Sequence, residues 1–370
     1  MANLFDYLDW RGDLPFSQSP FCDIDALIFS RLAYLPFDGI VDNTHRTCTL
    51  PNAAQQLLSS PEALSRIRNP QDLQLLKRIP LTPRFCEIRL SHFRSRLDAQ
   101  HAEQFCAICL HIDGGTRFLA FRGTDNTLAG WKEDFNMSFL SPVPGQLDAL
   151  AYMMEIAGEG SAQLYLGGHS KGGNLAVYAA AFAPPPVQAR ICRVFNHDGP
   201  GFPSDVLTSP GYTALGKKLR AIIPQSSIVG MLLEHEDNYT IIRSTQAGIF
   251  QHDVYSWQVL GNHFICLDTV TNSSRFFDHT IRQWLSEMTP AQREMLVNTI
   301  FDTIGGNAQT LSELTSNAGH TIRRIVHSLR GLEPEQQRMV AANLGRLWHA
   351  ARENFSVFLP HKPEKPDDAS

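Results

Sequence analysis

The chain has 370 residues, 43% of them hydrophobic, enough for one large domain of about 250 residues plus an appendage. A net charge of -5 leaves no basic surface of the kind that binds nucleic acid, and no apolar run approaches the roughly 18 residues of a membrane-spanning helix. The stretch Met1 to Trp10 carries acids and no basic run, so no secretory leader is expected, and seven scattered cysteines fit a reducing cytoplasm.

Between Asp23 and Leu35, apolar positions 24, 27, 28, 32 and 35 recur at helical spacing. An amphipathic helix packed on the core is expected, with Asp23 as N-cap and Pro36 as stop. Pro51 to Gln74 reads as short helices, one opened by Pro61 after Ser59-Ser60. Ile88 to Arg96 and Gln104 to Ile112 read as strands, and Asp113-Gly114-Gly115 turns the chain back into Arg117 to Arg122. Cys106 and Cys109 have C-x-x-C spacing but lie inside an apolar strand with no second pair, which reads as core packing and not as a zinc or redox site. The strand ends in Arg122-Gly123-Thr124-Asp125. Two readings stand there: an ordinary turn capped by Thr and Asp, or free backbone amides at a sheet edge able to hold an oxyanion. A helix over Gln146 to Ala157, ended by Gly158 and Gly160, then leads to the next strand.

That strand opens the most informative stretch, Leu164 to Ala181. A short apolar run, glycines around one serine, and an Ala/Leu/Val run predict strand, sharp turn and helix. Gly168-His169-Ser170-Lys171-Gly172 fits the G-x-S-x-G nucleophile elbow, in which a strained turn exposes the serine hydroxyl at the carboxyl edge of a sheet. The plain alternative is a Gly-rich turn without chemistry. Under the first reading Ser170 is the nucleophile, and the amide of Lys171 at the helix start faces a developing oxyanion.

Strands follow over Arg190 to Asn196, Leu219 to Pro224 and Tyr239 to Ser244, separated by helical runs. The fold class expected is therefore α/β, a mainly parallel sheet covered by helices on both faces. A serine hydroxyl needs a base within reach. His252 follows the last strand after a short loop, where the chain order Ser, acid, His places the base. His169 lies inside the elbow with its ring expected to turn away from the hydroxyl, and His197 lies at a strand end that could line the cleft. For the acid, Asp198 fits the order, while an Asx-turn shaping Gly199-Pro200-Gly201 is its plain reading. Glu234, Glu236, Asp237 and Asp253 remain alternatives.

From about Phe276 the pattern is helical, with Pro290 and Pro334 each at a first-turn position. Helices packed together or onto the core are the plain reading, and a lid or docking surface the sharper one. The expected organisation is a domain over 1–275, a helical extension over 276–359 and a disordered polar tail over 360–370.

Phe121-Arg122-Gly123-Thr124, Gly168-His169-Ser170-Lys171-Gly172-Gly173-Asn174-Leu175-Ala176 and Gln251-His252-Asp253 with Trp257 stand in one order. On these residues the chain resembles the class 3 lipases among the α/β-hydrolases, and more closely a bacterial family of lipase-like proteins of unknown function. The resemblance implies an α/β-hydrolase fold, Ser170 as nucleophile, His252 as base and Thr124 as an oxyanion amide. In class 3 lipases the acid sits in an Asp-x-Val-Pro segment, and the matching stretch here is Ser227-Ile228-Val229-Gly230. The family's acid position therefore holds Ser227, which leaves Asp198 as substitute or a dyad. Lys171 stands where the family often has Leu, a change expected to bear on the charge of the cleft. The reading is a serine esterase acting on a small-molecule or lipid ester without metal or organic cofactor. The alternative is a non-catalytic binding or interaction protein on the same fold.

Overall fold

The computed structural model describes residues 1–98, 103–124, 128–137, 140–232, 239–305 and 334–358. The expected tail over 360–370 and the alternative acids Glu234, Glu236 and Asp237 lie outside them.

The sheet strands are β1 (Cys48–Thr49), β2 (Arg89–Asp98), β3 (Glu103–His111), β4 (Thr116–Phe121), β5 (Gln163–His169), β6 (Ile191–His197), β7 (Leu219–Pro224) and β8 (Tyr239–Ile242). A ribbon of β9 (Val259–Leu260) and β10 (His263–Phe264) precedes β11 (Cys266–Leu267). The nine-stranded sheet has the order β1-β2-β3-β4-β5-β6-β7-β8-β11. Pairing is parallel from β4 through β8 and antiparallel on both flanks. The expectation of a mainly parallel sheet thus holds for the middle, and the sheet as a whole is mixed. The cause is local, since the turn at Asp113-Gly114-Gly115 is too short for a parallel crossover and makes β3 and β4 antiparallel.

Alternation along the strands feeds two cores. On β3, Cys106, Ile108 and Leu110 join one apolar cluster while Phe105, Ala107 and Cys109 join the other, and Phe118/Ala120 and Leu119/Phe121 divide likewise on β4. The C-x-x-C pair therefore points to opposite faces, and neither cysteine is in a disulfide. Helices α1 (Leu4–Arg11), α2 (Asp23–Leu32), α3 (Leu50–Leu58), α4 (Pro61–Ser65) and α5 (Pro70–Arg78) supply the first core. On the other face, after α6 (Leu128–Asn136), lie α7 (Pro144–Gly158) and α8 (Lys171–Ala181). Beyond α9 (Pro185–Ala189), α10 (Ser204–Leu207) and α11 (Pro210–Leu215), the chain ends in α12 (Asn272–Ser286), α13 (Pro290–Gly305) and α14 (Pro334–Phe358). Met288, between α12 and α13, clusters with Leu296 of α13 and Val340 of α14, Trp284 and Leu285 of α12 pack against them, and α13 also packs on α6. Among the described residues, no helix is long and apolar enough to cross a membrane.

Helix α2 departs from the expected amphipathic pattern. Every residue from Ile24 to Leu32 is buried, and Cys22, not Asp23, is the N-cap, with the Asp25 carboxylate accepting its amide at 2.9 Å. Burial of its polar residues is offset by pairing: Asp25 with Arg84 (2.5 Å) and Arg31 with Asp72 (2.6 Å). The helix lies against β4, β5 and β6, directly beneath the strand ends discussed below.

His197 does not line a cleft. It is fully buried, stacked at 10° on Phe195 and set against Trp257, and desolvation lowers its pKa to about 4. A histidine pKa depressed from about 6.5 means that the unfolded chain binds the proton more tightly, so stability is lost as pH falls through that window. His197 alone should cost about 2.5 kcal/mol at pH 4.5 relative to pH 7.5. Urea melts at the two pH values should show this loss, with a shallower dependence in His197→Phe; equal slopes in both proteins would refute the assignment.

Candidate active site

Ser170 ends β5 and opens α8 with φ 59° and ψ -136°, a left-half backbone that a non-glycine residue holds only when its surroundings impose it. They do so here. The Ser170 amide donates to His197 O (2.9 Å), and the Gly173 amide donates back to Ser170 O (2.9 Å). Close approach fixes the glycines: a Cβ on Gly168 would fall 2.2 Å from the carbonyl carbon of Gly172, and one on Gly172 would fall 2.1 Å from Phe121 O. Strand β4, strand β5 and helix α8 therefore meet at the serine, and the free amides of the first helical turn, Lys171 foremost, point out of its end.

His252 closes a 3-10 turn, Gly248–His252. Its Nδ1 lies 2.7 Å from Asp198 Oδ2, with the Asp198 side chain 1% and the His252 side chain 25% exposed. A carboxylate accepts, so Nδ1 carries the proton and the Nε2 lone pair is left for chemistry. The ring of His252 lies against that of His169, the residue before Ser170, with centroids 4.4 Å apart. Neither Ser170 Oγ nor His252 Nε2 has a hydrogen-bond partner among the described residues.

Asp198 stands just past the end of β6 with φ 54°, a conformation that Asp tolerates better than most residues. Its second oxygen, Oδ1, accepts from Ser227 Oγ (2.5 Å) and the Gly230 amide (3.2 Å). The plain reading of Asp198 as a turn former fails on one observation: Asn196 Oδ1 takes the Gly199 amide at 2.9 Å and shapes that loop. Asp253 is occupied elsewhere, accepting the Tyr255 amide at 3.3 Å. Ser227 thus faces the Asp198 carboxylate from the β7 side. Only a long-range contact could reveal this, since no sequence pattern links residues 198 and 227.

Thr124 follows β4, and its hydroxyl donates to Asp134 Oδ2 on α6 at 2.5 Å. Burial raises the Asp134 pKa to about 6, opposed by the charge of Lys171 and the Thr124 hydrogen bond. Asp134 was invisible to sequence reasoning, as was its neighbour Glu133. Lys171 corrects an expectation. Its side chain is 1% exposed and lies inside the protein, its ammonium donating to Glu133 Oε2 (2.6 Å) and Gln104 O (2.9 Å), so it adds no charge to a cleft. Glu133 also accepts the Gln104 amide (3.2 Å) and the Gly145 amide (2.8 Å), which joins α6, β3, α7 and α8 at one carboxylate.

The His169 ring is held between Tyr34 Oη, 3.2 Å from Nδ1, and His252 O, 2.9 Å from Nε2. Burial drives its pKa well below the ordinary value, with nearby His252 and Arg31 adding to the effect. Behind the site, Ser274 Oγ of α12 donates to Ser227 O at 2.6 Å, tying the C-terminal helices to the loop that supports Asp198. Among the described residues, no group of three or more His, Cys, Asp or Glu could hold a metal ion.

A comparison with curated proteins finds no match. Among solved structures, the crystal structure of M37 lipase is similar over 56% of this chain and 69% of its own length, at 17% identity and a TM-score of 0.35. A family model described as Mbeg1-like matches residues 79–302, more than half of the chain, and by that match the chain belongs to the Mbeg1-like family.

Proposed function

We propose that this protein is a serine hydrolase of the α/β-hydrolase type, related to the class 3 lipases, that cleaves carboxylic esters, with acyl lipids the first class to test. The domain over 1–275 carries the site, and the helices over 276–359 form its extension. One observation carries the reading: His252 is held by Asp198 with Nε2 open, beside a strained turn that presents Ser170.

In this reading Ser170 Oγ attacks the ester carbonyl while His252 Nε2 takes its proton. The amides of Thr124 and Lys171 hold the oxyanion of the tetrahedral intermediate. Collapse expels the alcohol, which leaves with the proton from His252, and water, activated by the same ring, releases the acid from the acyl-serine. Asp198 keeps the ring in the Nδ1–H tautomer and stabilises the imidazolium. The chemistry calls for no metal or organic cofactor. The serine at 227, which favoured a non-catalytic alternative, supports the catalytic one once it donates to Asp198.

A fluorophosphonate probe tests this. The unmutated protein should be labelled, Ser170→Ala should not be, and His252→Ala should fall to near background. Absence of labelling on the unmutated protein would end the enzymatic reading, and labelling that survives Ser170→Ala would remove Ser170 as nucleophile.

A further inference from the structure

The N-terminal helical segment, which lies before residue 79 and outside the family match, reaches the site through Tyr34. Tyr34 follows α2, and its hydroxyl meets three groups. The Gly123 amide donates to it at 3.1 Å, His169 O accepts from it at 3.1 Å, and His169 Nδ1 lies at 3.2 Å. The proton positions can be derived. His169 Nε2 lies 2.9 Å from His252 O, and a carbonyl oxygen only accepts, so Nε2 carries the proton of the neutral ring. Nδ1 is then an acceptor, and the Tyr34 O–H is shared between Nδ1 and His169 O while its lone pair receives the Gly123 N–H. Every donor in this chain has an acceptor, in a buried place where an orphan would be costly.

We propose that Tyr34 is a positioning residue of this site: its hydroxyl ties the strand end before Thr124, the elbow before Ser170 and, through the His169 ring, the main chain of His252. The inference rests on the proposed serine chemistry. Two further observations support it. The strand leaves room only because residue 123 is glycine, since a Cβ there would fall 2.3 Å from the Tyr34 oxygen. The Tyr34 ring is also held from below, with the Arg31 guanidinium 3.8 Å over its centroid. Arg31 is paired with Asp72 on α5, and Asp72 Oδ1 accepts from Tyr255 Oη at 2.7 Å, three residues beyond His252. The segment thus grips the base-bearing stretch at His252 and at Tyr255 and the elbow at His169. A surface helix packed on the core would need none of these ties.

Tyr34→Phe removes the hydroxyl and keeps the ring on Arg31, so the fold is retained. Two readouts decide. Ester hydrolysis should show kcat lowered on the order of tenfold to a hundredfold with KM within about twofold, because the three groups that react in the transition state lose their mutual alignment. Amide hydrogen exchange in a peptide covering Gly123 should speed up, because its acceptor is gone. Faster exchange with unchanged kcat would make Tyr34 merely structural and overturn the positioning role, and unchanged exchange would overturn the tie itself. If the unmutated protein takes no fluorophosphonate label, the proposed function fails separately, and the positioning role falls with it while the exchange result still tests the tie.

Discussion

Asp198→Asn is expected to lower kcat/KM for a chromogenic ester by about 10⁴-fold with little loss of stability. The direction follows from the groups around the carboxylate. Oδ1 accepts from two donors, Ser227 Oγ and the Gly230 amide, and neither position suits an NH₂ group. The amide of an asparagine must therefore set its oxygen there and aim its NH₂ at His252 Nδ1. That NH₂ donates, so Nδ1 becomes the acceptor and the ring proton moves to Nε2, the nitrogen proposed to take the serine proton. Ser227→Ala keeps the carboxylate and the Gly230 donor, and should cost about tenfold or less. Steady-state kinetics of the two variants, beside Asp253→Asn as control, would sink the assignment if Asp198→Asn stayed within tenfold of the unmutated protein or if Asp253→Asn fell further.

The elbow is legible in the sequence because its physics is local. Six residues contain the strained φ of Ser170, the glycines that let β4 and α8 approach, and the helix start. The two strands before it and the turn at residues 113–115 are legible for the same reason, as is Pro61 at the start of α4. The sequence leaves several candidate acids because the choice among them depends on partners far along the chain: Asn196 taking the turn contact beside Asp198, and Ser227 approaching from another strand end.

Lys171 and α2 depart from what their local sequence predicts for a related reason. A lysine beside a nucleophile reads as cleft charge, but residue 171 lies at the first position of α8, and its side chain runs inward toward β3, where Glu133 from α6 meets it. In α2 the polar residues Asp25, Ser30 and Arg31 mimic a solvent face. Ser30 is satisfied within the helix by Ala26 O, but Asp25 and Arg31 are paired with Arg84 and Asp72, which lie 59 and 41 residues further on. Charge pairing across such separations leaves no periodicity for a local reading to find.

The same buried pair carries the largest stability effect expected outside the hydrophobic cores. Glu133 is fully buried and its carboxylate serves three donors: the Lys171 ammonium and Gln104 amide on Oε2, and the Gly145 amide on Oε1. Glu133→Gln can match its oxygen to one side only, and its NH₂ then faces a donor. Lys171→Met leaves the carboxylate buried with no countercharge. Each single change should destabilise by about 3–5 kcal/mol, the penalty of an uncompensated buried charge or a donor-to-donor clash. The double variant should lose clearly less than the sum, because removing both charges abolishes the uncompensated ion and leaves only the mismatched amides. Urea denaturation of the four proteins closes the cycle, and additive losses would show that the two groups do not act as a pair. Activity gives an independent check. Residue 134, next to Glu133 on α6, holds the Thr124 hydroxyl. A loosened α6 should therefore lower kcat more than it raises KM in whichever variants remain folded, because the Thr124 amide, proposed to hold the oxyanion and engaged mainly in the transition state, is the group that loses its support.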